Sequence, residues 1–187
     1  QRQNSWEVGG EFRLFSDRLG VDATYYNVHN YDQIVSISIP QSTGFNARRL
    51  NVGEIENRGI ELQATYAILR QASNGFNWDV QANWSRNRNE VTKLAPGLKE
   101  FIVTSGDGFG TFIAARPGTT FQIQGVGFQR DPQGNYIINP QNGLRIPGER
   151  RLFGNIYPDW IGGVSNSFRW RNASVSFLVD VRKGGVV

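Results

Sequence analysis

The chain of 187 residues has no cysteine, no methionine and a single histidine, His29. Without cysteine there is no disulfide framework, thiol nucleophile, thiolate zinc site, iron–sulfur cluster or c-type haem attachment. One histidine excludes a multi-histidine metal centre within the chain, so neither a metal nor a cofactor is expected. No apolar run approaches the roughly 18 residues of a membrane helix. Charge of neither sign dominates: 20 Lys and Arg stand against 16 Asp and Glu, scattered along the sequence. That is not the basic stripe of a nucleic-acid surface, and no nucleic-acid partner is expected. Gln1–Ser5 carry no charged-then-apolar export leader, and the last residues follow directly on a strand pattern. The expectation is an internal stretch of a longer protein.

What the chain does have is glycine (22) and aromatic residues (12 Phe, 6 Tyr, 5 Trp), set in period-two alternation. Six stretches follow it, giving expected strands at about 6–15, 19–31, 58–69, 76–89, 158–170 and 173–183. In the fourth, Phe76, Trp78, Val80, Ala82 and Trp84 alternate with Asn77, Asp79, Gln81 and Asn83. In the last, Ala173, Val175, Phe177, Val179 and Val181 alternate with Ser174, Ser176, Leu178 and Asp180. Over all six, the 30 positions of the apolar set include no charge and one polar side chain, Asn166, whereas eight of the 24 interleaved positions are charged. One face is therefore built for an apolar surrounding and the other for water. Glycine, β-branched and aromatic residues dominate these stretches, which argues against helices.

Connections alternate in length. Ser16-Asp17-Arg18, residues 69–75 and Arg171-Asn172 are short turns, while two long external loops are expected at about 32–57 and 90–157. In an up-and-down meander this puts every short turn at one end of the sheet and both long segments at the other, as in outer-membrane barrels. A soluble antiparallel β-sandwich that binds carbohydrate through exposed aromatics is the alternative, because it also alternates apolar and polar residues. Three features favour the barrel. The loops are asymmetric, the apolar bands run about nine to eleven residues, and aromatics (Trp6, Tyr25, Phe76, Trp84, Trp160, Trp170) sit near the band ends. A six-stranded open sheet leaves two edges that lipid does not tolerate, so neighbouring strands are expected outside the chain. The fold class is thus all-β, an antiparallel up-and-down transmembrane β-barrel segment with long extracellular loops.

The run Trp6-Glu7-Val8-Gly9-Gly10 continuing to Tyr25-Tyr26-Asn27, and then Asn51-Val52-Gly53-Glu54-Ile55-Glu56-Asn57-Arg58-Gly59-Ile60-Glu61-Leu62, resembles the SusC/RagA family of TonB-linked outer-membrane transporters. The likeness continues through Phe76-Asn77-Trp78, Asn83 and Asn87, and through Gly154-Asn155-Ile156-Tyr157-Pro158-Asp159-Trp160-Ile161-Gly162-Gly163. The resemblance implies a barrel of about 22 strands closed by an N-terminal plug, with this chain in its C-terminal third and the plug outside it. It implies an importer of oligosaccharides or oligopeptides in the outer membrane of a Gram-negative bacterium. Its partners would be outer-membrane lipid, TonB reached through the missing N-terminal part, and a SusD-like surface lipoprotein acting as a lid. Where many members carry an acidic Asp/Gly-rich stretch, this chain has Arg130-Asp131-Pro132-Gln133-Gly134-Asn135-Tyr136-Ile137-Ile138, read as a hairpin turn and not a cation site.

Candidate chemistry is sparse, and the chain is read as non-enzymatic. His29 lacks a Gly-x-Ser-x-Gly partner element and is read as a loop histidine without a catalytic role. Glu54, Glu56 and Glu61 resemble a glycosidic carboxylate pair only in composition, and a surface hydrolase built on them is the third reading. The role expected of them is structural, fixing strand entry and hydrogen-bonding their neighbours. Ser105-Gly106-Asp107-Gly108-Phe109-Gly110 lacks the Gly-Lys-Ser/Thr of a phosphate loop. Candidates for a hydrated lumen are Glu61, Gln63, Asp79, Gln81, Asn83, Asn87 and Arg169. Candidates for cargo or lid contact are the loop residues Arg48, Arg49, Phe109, Phe112, Arg116, Phe128 and Tyr136. For any one of the lumen residues the plainer alternative is solvation of the lumen or contact with the plug, and the loop aromatics suit sugar rings or peptide side chains as well as a lid protein.

Overall fold

Alternating side chains commit each strand to two chemically different faces, and the ladder then decides whether neighbours agree on which is which. In the computed structural model, which describes residues 1–38, 41–45, 47–70, 75–105 and 112–186, they agree across the middle of the sheet. The main sheet has six antiparallel strands, β1 (Arg2–Leu14), β2 (Leu19–Ser38), β3 (Ala47–Leu69), β4 (Phe76–Leu94), β9 (Trp160–Trp170) and β10 (Ala173–Lys183), in the order β1-β2-β3-β4-β9-β10. Register aligns Gly10, Ala23, Leu62, Trp84, Gly162 and Val181 in one row across all six strands. The next row of the same face joins Phe12, Val21, Ala64, Ala82, Val164 and Val179.

This apolar face is bare. Val164 is 41% exposed and Phe177 51%, and Trp6, Val8, Leu62, Tyr66 and Val179 are likewise exposed. A sandwich would cover such a face with a second sheet; among the described residues nothing covers it. Asn89, Val91 and Leu94 are buried further out on β4; within and just beyond the apolar band the residues that the sheet buries, Gly20, Gly59, Ala67 and Gly163, all lie on the opposite face. There neighbouring side chains converge: a Cβ on Gly20 would meet Thr65 Oγ1 at 2.8 Å, and one on Gly163 would meet Asp180 Oδ1 at 2.5 Å. Crowding on the polar side and splaying on the apolar side is how a wall curves around a wet interior.

Asn166, the lone polar residue of the apolar face, has its amide oxygen met by the Trp78 indole N–H at 3.1 Å. The Trp78 ring stacks on Phe168 at 5.5 Å, and Phe168 stacks in turn on Phe177 at 6.1 Å. Trp78→Phe would leave that amide oxygen without a donor among apolar groups. We expect it to destabilise the full protein by about 1–3 kcal/mol in urea unfolding, with most of the loss restored by adding Asn166→Leu.

The short turns are tight. Phe15, Ser16 and Asp17 all have positive φ (55°, 55° and 61°), and Arg18 braces the turn by donating to the carbonyls of Ala67 and Ile68. Arg171-Asn172 closes the β9–β10 hairpin. The long segments differ from the sequence expectation. The stretch 32–57 is largely ladder, since β2 runs to Ser38 and β3 starts at Ala47. β3 has 23 residues, a length of about 76 Å against a hydrocarbon core of about 30 Å, so its N-terminal half stands beyond any bilayer. The stretch 90–157 holds the end of β4 and a second sheet of β5 (Phe101–Ser105), β6 (Phe112–Ala115), β7 (Gln122–Phe128) and β8 (Pro147–Asn155). A small core joins the two sheets: Val91, Leu94 and Ala115 are buried, with Ile55, Leu98 and Phe121 packed against them.

Candidate functional site

The motif around Gly53–Leu62 explains itself once the ladder is drawn. Gly53 adopts φ of +156°, and any Cβ there would run into the Lys93 carbonyl oxygen. Glu54 lies between His29 and Lys93, with its carboxylate oxygens 3.4 Å from each. Glu56 accepts from Asn27 Nδ2 at 2.6 Å, and Asn57 accepts from Asn89 Nδ2 at 2.6 Å. Gly59 is the floor for the Tyr26 ring, which crosses it from β2 and donates its hydroxyl to Asn87 Oδ1 on β4 at 3.2 Å. Together Gly53, Glu54, Glu56, Asn57 and Gly59 thus fasten β2, β3 and β4 where they leave the apolar band. His29, stacked on Tyr31 at 4.1 Å between ring centroids, belongs to the same fastening.

The seven lumen candidates share the polar face. Gln63 pairs with Asn83, Glu61 with Ser85, Gln81 with Ser165, Asp79 with Ser167, Asn77 with Arg169, and Gly59 with Asn87. With Asp22 beside Gln63 and Thr24 beside Glu61, the face is polar and of mixed charge. Among the described residues no group of three or more His, Asp or Glu is placed to hold a metal ion.

The loop candidates separate. Phe128 and Tyr136 come together edge to face at 6.0 Å, and Tyr136 lies between two guanidinium groups, Arg130 at 3.9 Å and Arg145 at 4.1 Å. The hairpin beneath them is an Asx-type turn. The Asp131 carboxylate accepts from the main-chain N–H groups of Gln133 and Asn135 and from Asn135 Nδ2, and the Asn135 bonds hold it below the usual carboxylate range. Arg116 is tied to Glu100, its Nε donating to Oε2 at 2.6 Å. Arg48 and Arg49 are exposed at the start of β3, opposite Ile37 and Ser36. Phe112 opens β6 and is described by its backbone alone, and Phe109 lies, with the rest of 106–111, outside the described residues.

One site was missed in the sequence. A cleft of about 340 Å³ lies between the outer part of β4 (Arg86–Glu90) and the segments Gly118–Thr120, Gln122, and Asn155 with Tyr157–Asp159. The signal available was the alternation Asn83, Asn87, Asn89, which carries the polar face beyond the apolar band. The partner segments lie about 30 to 70 residues further on, and nothing in the pattern links them.

Comparison with known proteins fits this architecture. TonB-dependent receptor P3 of Formosa agariphila is 24% identical over 206 residues, covering 97% of this chain and 20% of that protein. TonB-dependent receptor P26 of the same organism is 28% identical over 98% of the chain, and the TonB-dependent receptor SusC of Bacteroides thetaiotaomicron 26% identical over 95%. The chain spans about a fifth of the length of these relatives. Among solved structures, the RagAB peptide importer in its "closed-closed" state superposes with a TM-score of 0.74 at 22% identity, covering 98% of this chain and 21% of that one. The "open-open" state gives 0.73 at 20% identity. Residues 1–182 match the family model described as TonB dependent receptor-like, β-barrel, and the chain belongs to that family.

Proposed function

We propose that the intact protein is an outer-membrane importer of oligomeric nutrients, oligosaccharides or oligopeptides, energised through TonB and working with a SusD-like surface lipoprotein. The observation that carries this reading is the two-faced wall: an uncovered apolar face six strands wide, backed by a polar concave face. An apolar surface of that extent is stable only against lipid, and a polar lining suits passage of a hydrated neutral solute. The relatives named SusC and the RagAB peptide importer support a transport role. No bond chemistry is needed for it. Phe128 and Tyr136, flanked by Arg130 and Arg145, form an exposed basic-aromatic tip suited to a lid protein or to cargo. The soluble-sandwich reading needs a second layer on the apolar face, and none lies there among the described residues.

Fractionation and uptake test the proposal together. The full protein is expected in the outer membrane, extracted only by detergent and shifting in gel mobility on heating. Deleting its gene, or that of TonB, is expected to abolish growth on one class of oligomer while growth on the monomers persists. A parent protein that remains soluble after lysis overturns the reading.

A further inference from the structure

The ladder on β4 has a gap. Ser85 is the last β4 residue paired with β9, opposite Ile161. At the other end, Val91 donates its N–H to the Thr119 carbonyl at 2.9 Å and accepts from the Gly118 N–H at 2.8 Å. Main-chain groups of successive strand residues point to alternate sides, so Asn87 and Asn89 turn theirs the same way as Val91, toward the cleft and away from β3. Among the described residues no strand or bridge pairs with Asn87 or Asn89 on that side. From Ser85 to Val91 this leaves about 20 Å of open edge.

Side chains on both banks of the cleft are also short of partners. Asn89 is 6% exposed; its Nδ2 is spent on Asn57, and its Oδ1 has no partner among the described residues. Gln122 gives its Nε2 to Asn155, and its Oε1 is likewise buried and unpartnered. The buried Thr120 hydroxyl oxygen completes the set. Among the described residues, three lining side chains thus hold buried oxygens without partners, beside two unpaired N–H and two unpaired C=O groups of a strand edge. Unsatisfied buried acceptors are costly, and a native cleft that holds several is shaped for a donor from elsewhere.

We infer that this slot is a strand-addition site that takes a short extended peptide by its main chain. A peptide supplies N–H and C=O groups at the strand repeat, matching Asn87 and Asn89, and spare amide donors for the side-chain oxygens. A sugar chain offers hydroxyl donors but no matching repeat of donor and acceptor along one edge. The inference rests on the importer reading, because cargo reaches a slot in the outer wall of a transporter. It narrows that reading from two cargo classes to peptides, with recognition that is indifferent to side-chain identity.

The test uses the full-length transporter, purified from the outer membrane in detergent, and the fluorescently labelled probe acetyl-(Ala-Ser)₃-amide. Two further probes carry N-methyl groups on alternate residues, one in each phase. Methylation in one phase is expected to weaken binding at least tenfold, and in the other phase less than twofold. Asn87→Pro removes an edge N–H without touching the β3 ladder and is expected to bind at least tenfold more weakly than Asn87→Ala. Thr120→Val is expected to weaken binding several-fold, with the heat-modifiable band confirming a folded barrel in each variant. Equal binding of both methylated probes, displacement by maltohexaose as effective as by peptide, or a full-length structure with one of the protein's own segments paired to Asn87–Asn89 each overturns the slot. A protein that sits in the outer membrane and imports through TonB, yet binds no peptide probe, overturns the slot and leaves the importer reading standing. A protein absent from the outer membrane overturns the importer reading itself.

Discussion

Gly59→Val is expected to remove the folded barrel from the outer membrane, lowering the heat-modifiable band at least tenfold. A Cβ at Gly59 would lie 2.5 Å from Tyr26 Cζ and 2.8 Å from the Arg86 carbonyl oxygen, so both neighbouring strands must move. Overpacking of a tight site costs about 1–3 kcal/mol, and a backbone atom has less room to yield than the end of a side chain. The displaced ring also gives up its bond to Asn87, which links β2 to β4 across β3. Adding Tyr26→Ala to Gly59→Val is expected to recover part of the band, since the ring clash is relieved and the carbonyl clash remains. Wild-type levels of Gly59→Val alone would show that the ring does not lie over this glycine.

A second large effect separates the two faces. Val164→Arg puts a cation in the row of Val21, Ala64, Ala82 and Val179, in the middle of the apolar band. The expected cost is about 2–4 kcal/mol, the range for arginine at the bilayer midplane. Ser165→Arg, one residue on, enters the polar row of Gln81 and Thr65 and is expected to cost under about 1 kcal/mol. Unfolding of the full protein in lipid vesicles by urea measures both. Equal losses at 164 and 165 would mean that neither face meets lipid.

How far the fold could be read from the sequence follows from what surrounds each part. Inside the band, lipid and water impose opposite chemistry on alternate residues, so positions such as Val80 and Gln81 declare their faces. Beyond it both faces are wet. Arg58, Arg88 and Glu90 on one face and Asn57 and Asn89 on the other give no contrast, and the outer halves of β2 and β3 pass for loop. The inserted sheet is hidden for another reason. β5 and β6 have five and four residues, and β7 contains glycine at two of its seven positions. The Gly53–Leu62 motif was visible as a likeness, yet its cause, Tyr26 over Gly59 and Lys93 against Gly53, needed the third dimension. The same holds for the cleft, where Asn89, Thr120 and Asn155 meet from three distant segments.

The insertion between β4 and β9 also constrains the order of assembly. Pairing Leu14 with Leu19 closes four residues, whereas pairing Ser85 with Ile161 closes 75. Loop-closure entropy alone makes the second event about 2.6 kcal/mol more costly than the first. The hairpin β9–β10 therefore joins late unless something shortens the excursion, and the four-stranded insert does so. Once Val91 bridges Thr119 and Ile156 donates to the Phe121 carbonyl, only a few residues separate the clasped chain from Trp160. The external sheet then serves as a staple that brings the next hairpin to the growing wall.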